Sequence, residues 1–416
     1  MKFKTILLLS IFFLIQISCS KDGEYKNDEP IAITISDFII DLNEFPQANK
    51  SIGFIQGRTN KGNLTFSITS QSPENCFTID SETGELKVLN ESLYNFDINP
   101  IISGTVKARN GEASRNCNIT INVINVEKIF NGSIHIESQT QLESFASNFY
   151  DRVNGSIMLS GKTVINTTNL NSIKFIDGNI IVMGTNIKNI DGFTNTNISN
   201  DATIQIINNQ NLENLNGLEN VTNRLTTLSI NYNPLINNID GLKNISNVTN
   251  EIEISDTEYL TNLNGLSGIN SHVRFLSIRG NKAIVDTDGL SNIPSITSFS
   301  FTNNDLVTSL SDMSSLLEVD HFFLDRNAKL ENIKGLIELE TCKDLIITNN
   351  VSLKNLDGLI KLRHVNDGSM QITGNISLKD FCGLSLISTI STVGYNIRDN
   401  LYNPTKDDIK NGNCSI

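Results

Sequence analysis

Tryptophan is absent from the 416 residues, and only four histidines, six cysteines and seven prolines are present. Without Trp the chain lacks the broadest stacking platform for sugars, and few His means few general bases near neutral pH. Cations are short as well: 32 Lys and Arg stand against 45 Asp and Glu, a net charge of −13. Such a chain is a poor general partner for nucleic-acid phosphates, which need a basic surface. His135, His272, His321 and His364 lie far apart, in no zinc-ligand spacing. No Gly-x-Ser-x-Gly, phosphate-binding Gly loop or paired-Cys motif occurs. A Ser–His–acid triad could assemble only by accident of folding, so the expected function is non-enzymatic. What is present is ordinary globular material, 38% hydrophobic and 19% charged, in a length that suggests two or three domains.

The first eighteen residues read as an address. Lys2 and Lys4 precede an apolar run from Ile6 to Ile15, too short to cross a ~30 Å hydrocarbon core but suited to a secretory signal peptide. The run ends in Ile17-Ser18-Cys19, which resembles the lipobox of bacterial lipoproteins, with Gln16 where Leu is usual. That resemblance implies lipidation of Cys19 as the mature N-terminus; cleavage near Ser18, giving a soluble secreted protein, is the alternative. Cleavage before Cys19 leaves 30 cations against 45 acids, net −15. Residues 19–30 form a polar tether. Its start, Cys19-Ser20-Lys21-Asp22-Gly23-Glu24, resembles the acidic signal that sends some lipoproteins to the cell surface, although a solvated linker has similar composition. The expected location is the outer membrane, exposed at the cell surface.

Residues 31–126 alternate apolar and polar in short runs: Ile31, Ile33, Ile35; Leu64, Phe66, Ile68; Ile119, Ile121, Val123. Period two marks half-buried strands, and Gly57, Gly62, Gly84 and Gly111 punctuate them, so six or seven strands of a Greek-key sandwich are expected. Phe77-Thr78-Ile79-Asp80 leading into Thr83-Gly84-Glu85-Leu86, and Val106 to Gly111 followed by Ile119 to Val123, resemble a cadherin-like domain. That family binds calcium with clustered carboxylates. Here Glu44 and Asp97 match two of them, but Asn99, Arg109 and Asn110 replace others, so a metal-free spacer is favoured and no cofactor is expected.

Residues 127–416 repeat. Leu228, Ile230, Asn233, Ile236, Ile239, Gly241 and Leu242 set a frame that returns through Gly192, Gly217, Gly265, Gly289, Gly335, Gly358 and Gly383, with Asp312 filling one slot, a spacing of 23 to 25 residues. One such unit cannot bury its own core, so units stack. The frame resembles the leucine-rich repeat and, more closely, the receptor L-domain. The expected fold is therefore all-β dominated: the sandwich followed by a right-handed parallel-β solenoid with short helical or irregular connections. Nine or ten coils would make a rod on the order of 45 Å.

The frame assigns roles. Asn209, Asn233, Asn281, Asn304, Asn327, Asn350 and Asn375 stand at strand ends, where their amides can pair with backbone groups of neighbouring coils. Residues 384–416 read as a C-terminal cap, bracketed by Cys382 and Cys414, an expected disulfide in an exported chain. Cys76 and Cys117 fall near opposite ends of a Greek-key sandwich, and Cys342 reads as a small buried hydrophobe. Outward strand positions include Glu251, Glu253, Phe275, Arg279, His321, Phe323 and Asp325, a candidate binding face; Phe275, Arg279, Phe323 and Asp325 fall on the sixth to eighth coils. Other outward positions, Ser229 and Asn231 among them, are read as solvated, and Asn231 as tolerant of change. These residues point to a surface-anchored binding or adhesion protein with a protein partner. Capture of a peptide or glycan for an outer-membrane transporter is the alternative.

Overall fold

The computed structural model describes residues 29–365, 368–387, 389–390 and 394–416. The signal sequence, Cys19 and the tether up to residue 28 lie outside the described residues. The chain divides after Val126 into two compact units.

Among the described residues the first unit holds nine strands: β1 (Ile33–Ile35), β2 (Phe38–Asn43), β3 (Ser51–Phe54), β4 (Gly57–Thr59), β5 (Thr65–Ser72), β6 (Phe77–Ile79), β7 (Glu85–Val88), β8 (Ile101–Asn110) and β9 (Ala113–Ile124). They form a four-stranded sheet β2-β9-β8-β5, a three-stranded sheet β3-β7-β6 and the pair β1-β4. Alternation in β9 buries Cys117, Ile119, Ile121 and Val123 against Phe66, Phe77, Leu86 and Tyr94. The count exceeds six or seven because two expected strands are each bent in two, at residues 36–37 and 55–56. At the first bend the Asp37 carboxylate accepts the Asn118 N–H at 2.7 Å, in place of a main-chain bond. Cys76 and Cys117 are unpaired and buried. Cys76 sits just before β6, where its N–H and that of Phe77 both donate to Gln71 Oε1.

The second unit is a stack of twelve coils. Their strands occupy 134–136, 157–160, 180–183, 202–207, 225–231, 248–255, 273–279, 295–302, 318–325, 341–348, 370–373 and 395–398, numbered here as coils 1 to 12. They belong to one sheet of fourteen strands, paired in parallel, with a second sheet of four short strands beside coils 1 to 4. At ~4.8 Å per strand the stack is roughly 50–55 Å long, longer than the repeat frame implies. Coils 1 and 2 lack the frame's Asn and Gly, and coil 12 keeps the Asn, as Asn400, but not the Gly: coil 1 carries helix α1 (Gln139–Ala146), coil 2 has the turn Thr168–Leu170, and coil 12 runs into the cap.

Inward residues of coils 2 to 11, such as Leu228, Ile230, Ile252, Ile254, Leu276 and Ile278, are buried and belong to one continuous core, against which Ile134 of coil 1 and Tyr395 and Ile397 of coil 12 pack half-buried. Opposite the strands of coils 3 to 7 and 9 to 11 a 3-10 turn carries the repeat glycine, and coil 8 has Asp312 in that slot. These glycines are required by space. A Cβ on Gly241 would lie 1.9 Å from Leu215 O of the preceding coil, and one on Gly358 would lie 1.8 Å from Ile333 O.

Both ends are closed. At the front, α1 buries Leu142, Phe145 and Ala146, and Phe130, Phe145 and Tyr150 pack ring against ring within 5.4 Å. At the back, Cys382 is disulfide-bonded to Cys414 across 32 residues. Phe381 N–H donates to Cys414 O at 2.8 Å, and helix α2 (Lys406–Lys410) is fixed by the Thr405–Asp408 capping box with Ile409 buried. A loop of this size is worth about 3–4 kcal/mol in the chain-entropy model. Cys382→Ser should therefore speed amide exchange around Ile372 while coils 4 to 8 keep their protection; uniform protection throughout would show that the cap holds without it.

Candidate functional site

Two kinds of position decide what the solenoid can do: those that lock coil to coil, and those left for a ligand. The locking positions begin where each strand ends in a left-handed residue. Asn208, Tyr232, Asp256, Gly280, Asn303, Arg326, Asn349 and Gly374 have φ between 54° and 75°, which turns the next residue inward. That next residue is a member of the Asn column. Asn209, Asn233, Asn281, Asn304, Asn327, Asn350 and Asn375 are all fully buried. Asn327 shows the bonding. Its Oδ1 accepts the Asn304 N–H at 3.0 Å and its Nδ2 donates to Phe301 O at 2.9 Å, both on the preceding coil. Each Asn thus satisfies one donor and one acceptor that a bare turn would leave buried and unpaired.

The column is longer than the asparagines named from sequence. Thr185 and Thr257 fill two slots, donating their hydroxyls to Asn209 Oδ1 and Asn281 Oδ1 at 2.7 and 2.9 Å. At the back Asn375 N–H donates to Asn400 Oδ1, and Asn400 N–H to Asn403 Oδ1, each at 3.0 Å. Asn403 lies within the cap and ends the series. A second column went unread. Asn195, Asn244 and Asn292, three residues after a repeat glycine, donate to Asn171 O, Glu219 O and Ser267 O of the preceding coil at 2.7–3.0 Å, and Asn220 donates likewise to Thr194 O. Its signal, Gly-Leu-x-Asn, is visible at Gly217, Gly241 and Gly289.

The seven candidate binding residues fall on the outward strand face in three rows. The first is Glu251, Phe275, Ser298, His321, Asp344; the second Glu253, Ser277, Ser300, Phe323, Ile346; the third Ser255, Arg279, Thr302, Asp325, Thr348. Phe275 and Arg279 lie on coil 7, Phe323 and Asp325 on coil 9, one coil further along than the repeat frame places them. Phe275 is 39% exposed, with the Arg274 guanidinium 5.0 Å from its ring centre. Arg279 Nη2 bonds Glu253 Oε1 at 3.2 Å. His321 Nδ1 lies 2.6 Å from Asp344 Oδ2, and Asp344 Oδ1 accepts the Ser369 N–H at 2.7 Å. Burial works to raise the Asp344 carboxyl, but the Ser369 N–H and His321 outweigh it and hold it below its ordinary range. The first row thus aligns Ser298, His321 and Asp344, yet among the described residues only the His321–Asp344 half is hydrogen-bonded. Behind it Cys342 is buried, and burial pushes its thiol up to about 12, far from the thiolate needed for reactivity.

Asn231 and Ser229 differ from expectation. Both are outward yet buried, at 7% and 5% exposure. Asn231 Nδ2 donates to Ser229 Oγ and Glu253 Oε2 at 2.8 and 2.7 Å, and its Oδ1 accepts from Ser255 Oγ at 3.1 Å. Short side chains lie below the tips of longer neighbours, so a polar network across coils 5 to 7 is hidden on a face that alternation alone marks as solvated. The sequence reading also passed over Met158, Ile181, Met183 and Ile207, outward positions on coils 2 to 4 that make an apolar block.

Glu44 and Asp97 are the two calcium candidates, and the Asp97 N–H donates to Asn95 Oδ1 at 2.9 Å. Glu44 is engaged by main chain, accepting Phe96 N–H at 3.2 Å and Val126 N–H at 3.0 Å. Asn99 Nδ2 donates to Leu93 O at 2.9 Å. Among the described residues no group of three or more His, Cys, Asp or Glu side chains is placed to hold a metal ion.

No family model matches the chain, and no curated protein matches it. Among solved structures it is similar to the extracellular cadherin domains 3–6 of protocadherin gamma B2, at 18% identity over 24% of this chain and 22% of that one, with a TM-score of 0.20. It is similar to Drosophila N-cadherin domains 1–4 at 18% identity over 26% and 29%, with a TM-score of 0.22. A third, the protocadherin gamma B4 extracellular domain, matches at 15% identity over 27% and 21%, with a TM-score of 0.21. The chain spans less than a third of the length of each of these structures.

Proposed function

We propose that this is a non-enzymatic binding protein that offers the outward strand face of its solenoid to a protein partner. The observation that carries this reading is the face itself. Coils 6 to 10 bring Phe275, Phe323, Arg279 and Asp325 onto one hydrogen-bonded sheet whose inner side is fully buried, and a rigid repeat face with aromatic and Arg side chains is the usual build of a protein-binding platform. Truncating a hot spot costs at least about 2 kcal/mol, some thirtyfold in affinity. Phe275→Ala with Phe323→Ala should therefore release the partner recovered by cross-linking on cells while leaving the melting temperature unchanged, because neither ring enters the core. Unchanged capture by the double variant would move the interface elsewhere.

The address is part of the same proposal: lipid on Cys19 tethers the chain to the outer membrane, exposed at the cell surface. Cys19→Ala should abolish lipid labelling and release the protein from membranes. Protease added to intact cells should degrade it, and protection until lysis would place it in the periplasm.

A further inference from the structure

The strand of coil 8 presents only short hydroxyl side chains outward, Ser298, Ser300 and Thr302. Its neighbours carry longer side chains on both sides, except at Ser277 of coil 7 beside Ser300. Phe275 stands on coil 7 beside Ser298, and Phe323 on coil 9 beside Ser300. The result is a trough one coil wide, with a hydroxyl floor and a Phe ring on each wall, and about 9–10 Å between the flanking strands.

The polar groups around it divide into two sets. The charged side chains directly beside the floor, Arg279, His321 and Asp325, are matched by neighbours on the same chain, and Arg274 next to Phe275 lies over its ring. Arg279 is bonded to Glu253, and His321 to Asp344. Asp325 takes the Arg326 guanidinium at 2.9 Å and accepts from Thr348 Oγ1 at 2.6 Å and Asn349 Nδ2 at 3.0 Å. The hydroxyls of Ser298, Ser300 and Thr302, by contrast, make no hydrogen bond among the described residues. A complementary ligand is then uncharged and carries both donors and acceptors. The spacing narrows it further. Floor hydroxyls two residues apart on one strand repeat every ~6.6–6.8 Å, which is also the two-residue repeat of any extended polypeptide. Main-chain amides of a segment laid along the strand meet the floor in step.

We propose that the trough over coil 8 seats an extended, uncharged polypeptide segment, anchored by an aromatic or long aliphatic side chain between Phe275 and Phe323. This rests on the reading of the strand face as a protein-binding platform and names the kind of segment it takes. The rings supply apolar contact, and the floor hydroxyls turn to donate to carbonyls or accept from N–H groups as the segment requires.

The test offers the full chain a phage-displayed library of random nine-residue peptides and, in parallel, an array of neutral oligosaccharides. Uncharged peptides with at least one aromatic or aliphatic residue should be enriched. A synthetic copy of the best should keep its affinity as salt is raised. It should lose about tenfold or more on Ser300→Tyr, which fills the floor from an outward position, and also on Phe323→Ala. Melting temperatures of both variants should match the parent. Peptides that still bind both variants but are lost on changing Met183 or Ile207 would overturn the trough and leave the platform reading standing. Charged, salt-sensitive peptides, or oligosaccharides alone, would overturn the occupant. Binders confined to the unit ending at Val126, or none, would overturn trough and platform together.

Discussion

Gly289→Ala is expected to unfold the solenoid, or to leave it cooperatively folded only well below the parent's melting temperature. The added methyl would lie 1.7 Å from Leu263 O and 2.3 Å from Leu263 C, main-chain atoms of the preceding coil. Ordinary carbon-to-oxygen contact needs about 3.3 Å, so coils 6 and 7 would have to part by more than an ångström. The parallel strand ladder joins the same two coils on the opposite side, from Glu251–Phe275 to Ser255–Arg279, and resists that movement. Overpacking of this kind, without a flexible side chain to yield, belongs in the exceptional class of about 4–5 kcal/mol or more. Gly412→Ala is the control. Its φ of 80° makes alanine unfavourable, but nothing lies within 4 Å of the new methyl, so a cost of about 1–2 kcal/mol is expected. Chemical denaturation of the two variants separates crowding from backbone preference, and equal losses would refute the close-packing account.

Asn327→Ala should cost about 2–4 kcal/mol. It strips the partner from Asn304 N–H and from Phe301 O, both buried, and leaving one such group unpaired costs roughly 1–3 kcal/mol. Asn211 is the comparison: it is exposed, with a single 3.4 Å bond to Asn186 Oδ1, and its replacement should stay within about 0.5 kcal/mol. Asn231→Ala should fall between, because it breaks a network that is buried but lies on the outward strand face. Equal midpoints for Asn327→Ala and Asn211→Ala would mean the Asn column does not join the coils.

How much of this was legible in the sequence depends on the range of the interaction. The solenoid and its phase were readable because every coil repeats one local rule: alternate residues inward, Asn at the turn, Gly where the coils touch. The end coils were not, because a coil closed by α1 or by the cap has no neighbour on one side and keeps at most part of the frame, as coil 12 does with Asn400. Thr257 occupies the slot 24 residues after Asn233 and could have been found by counting; its hydroxyl does part of what an amide does. Asn231 could not. Period two assigns it to the outward face correctly, but its burial comes from the height of Glu253 on the next coil, which alternation does not encode. In the sandwich the strand count failed at the bend near Asp37, where a side chain does the work of a main-chain acceptor.

The backward-reaching asparagines also bear on how such a chain can change. Because each one closes the coil before it, the junctions that keep both Asn and Gly, those of coils 4, 5, 7, 9, 10 and 11, are chemically interchangeable, whereas coils 3 and 6 with Thr, coil 8 with Asp312, and the ends closed by α1 and by Asn403 with the Cys382–Cys414 clasp are singular. A duplication or excision of one full period, 23 to 25 residues in frame, rejoins like to like. A cut of half a period strands an amide without its carbonyl. Inheritance in this molecule is therefore quantised: its length varies by whole links between two fixed terminals, and each link gained or lost lengthens or shortens the outward strand face by one strand's width.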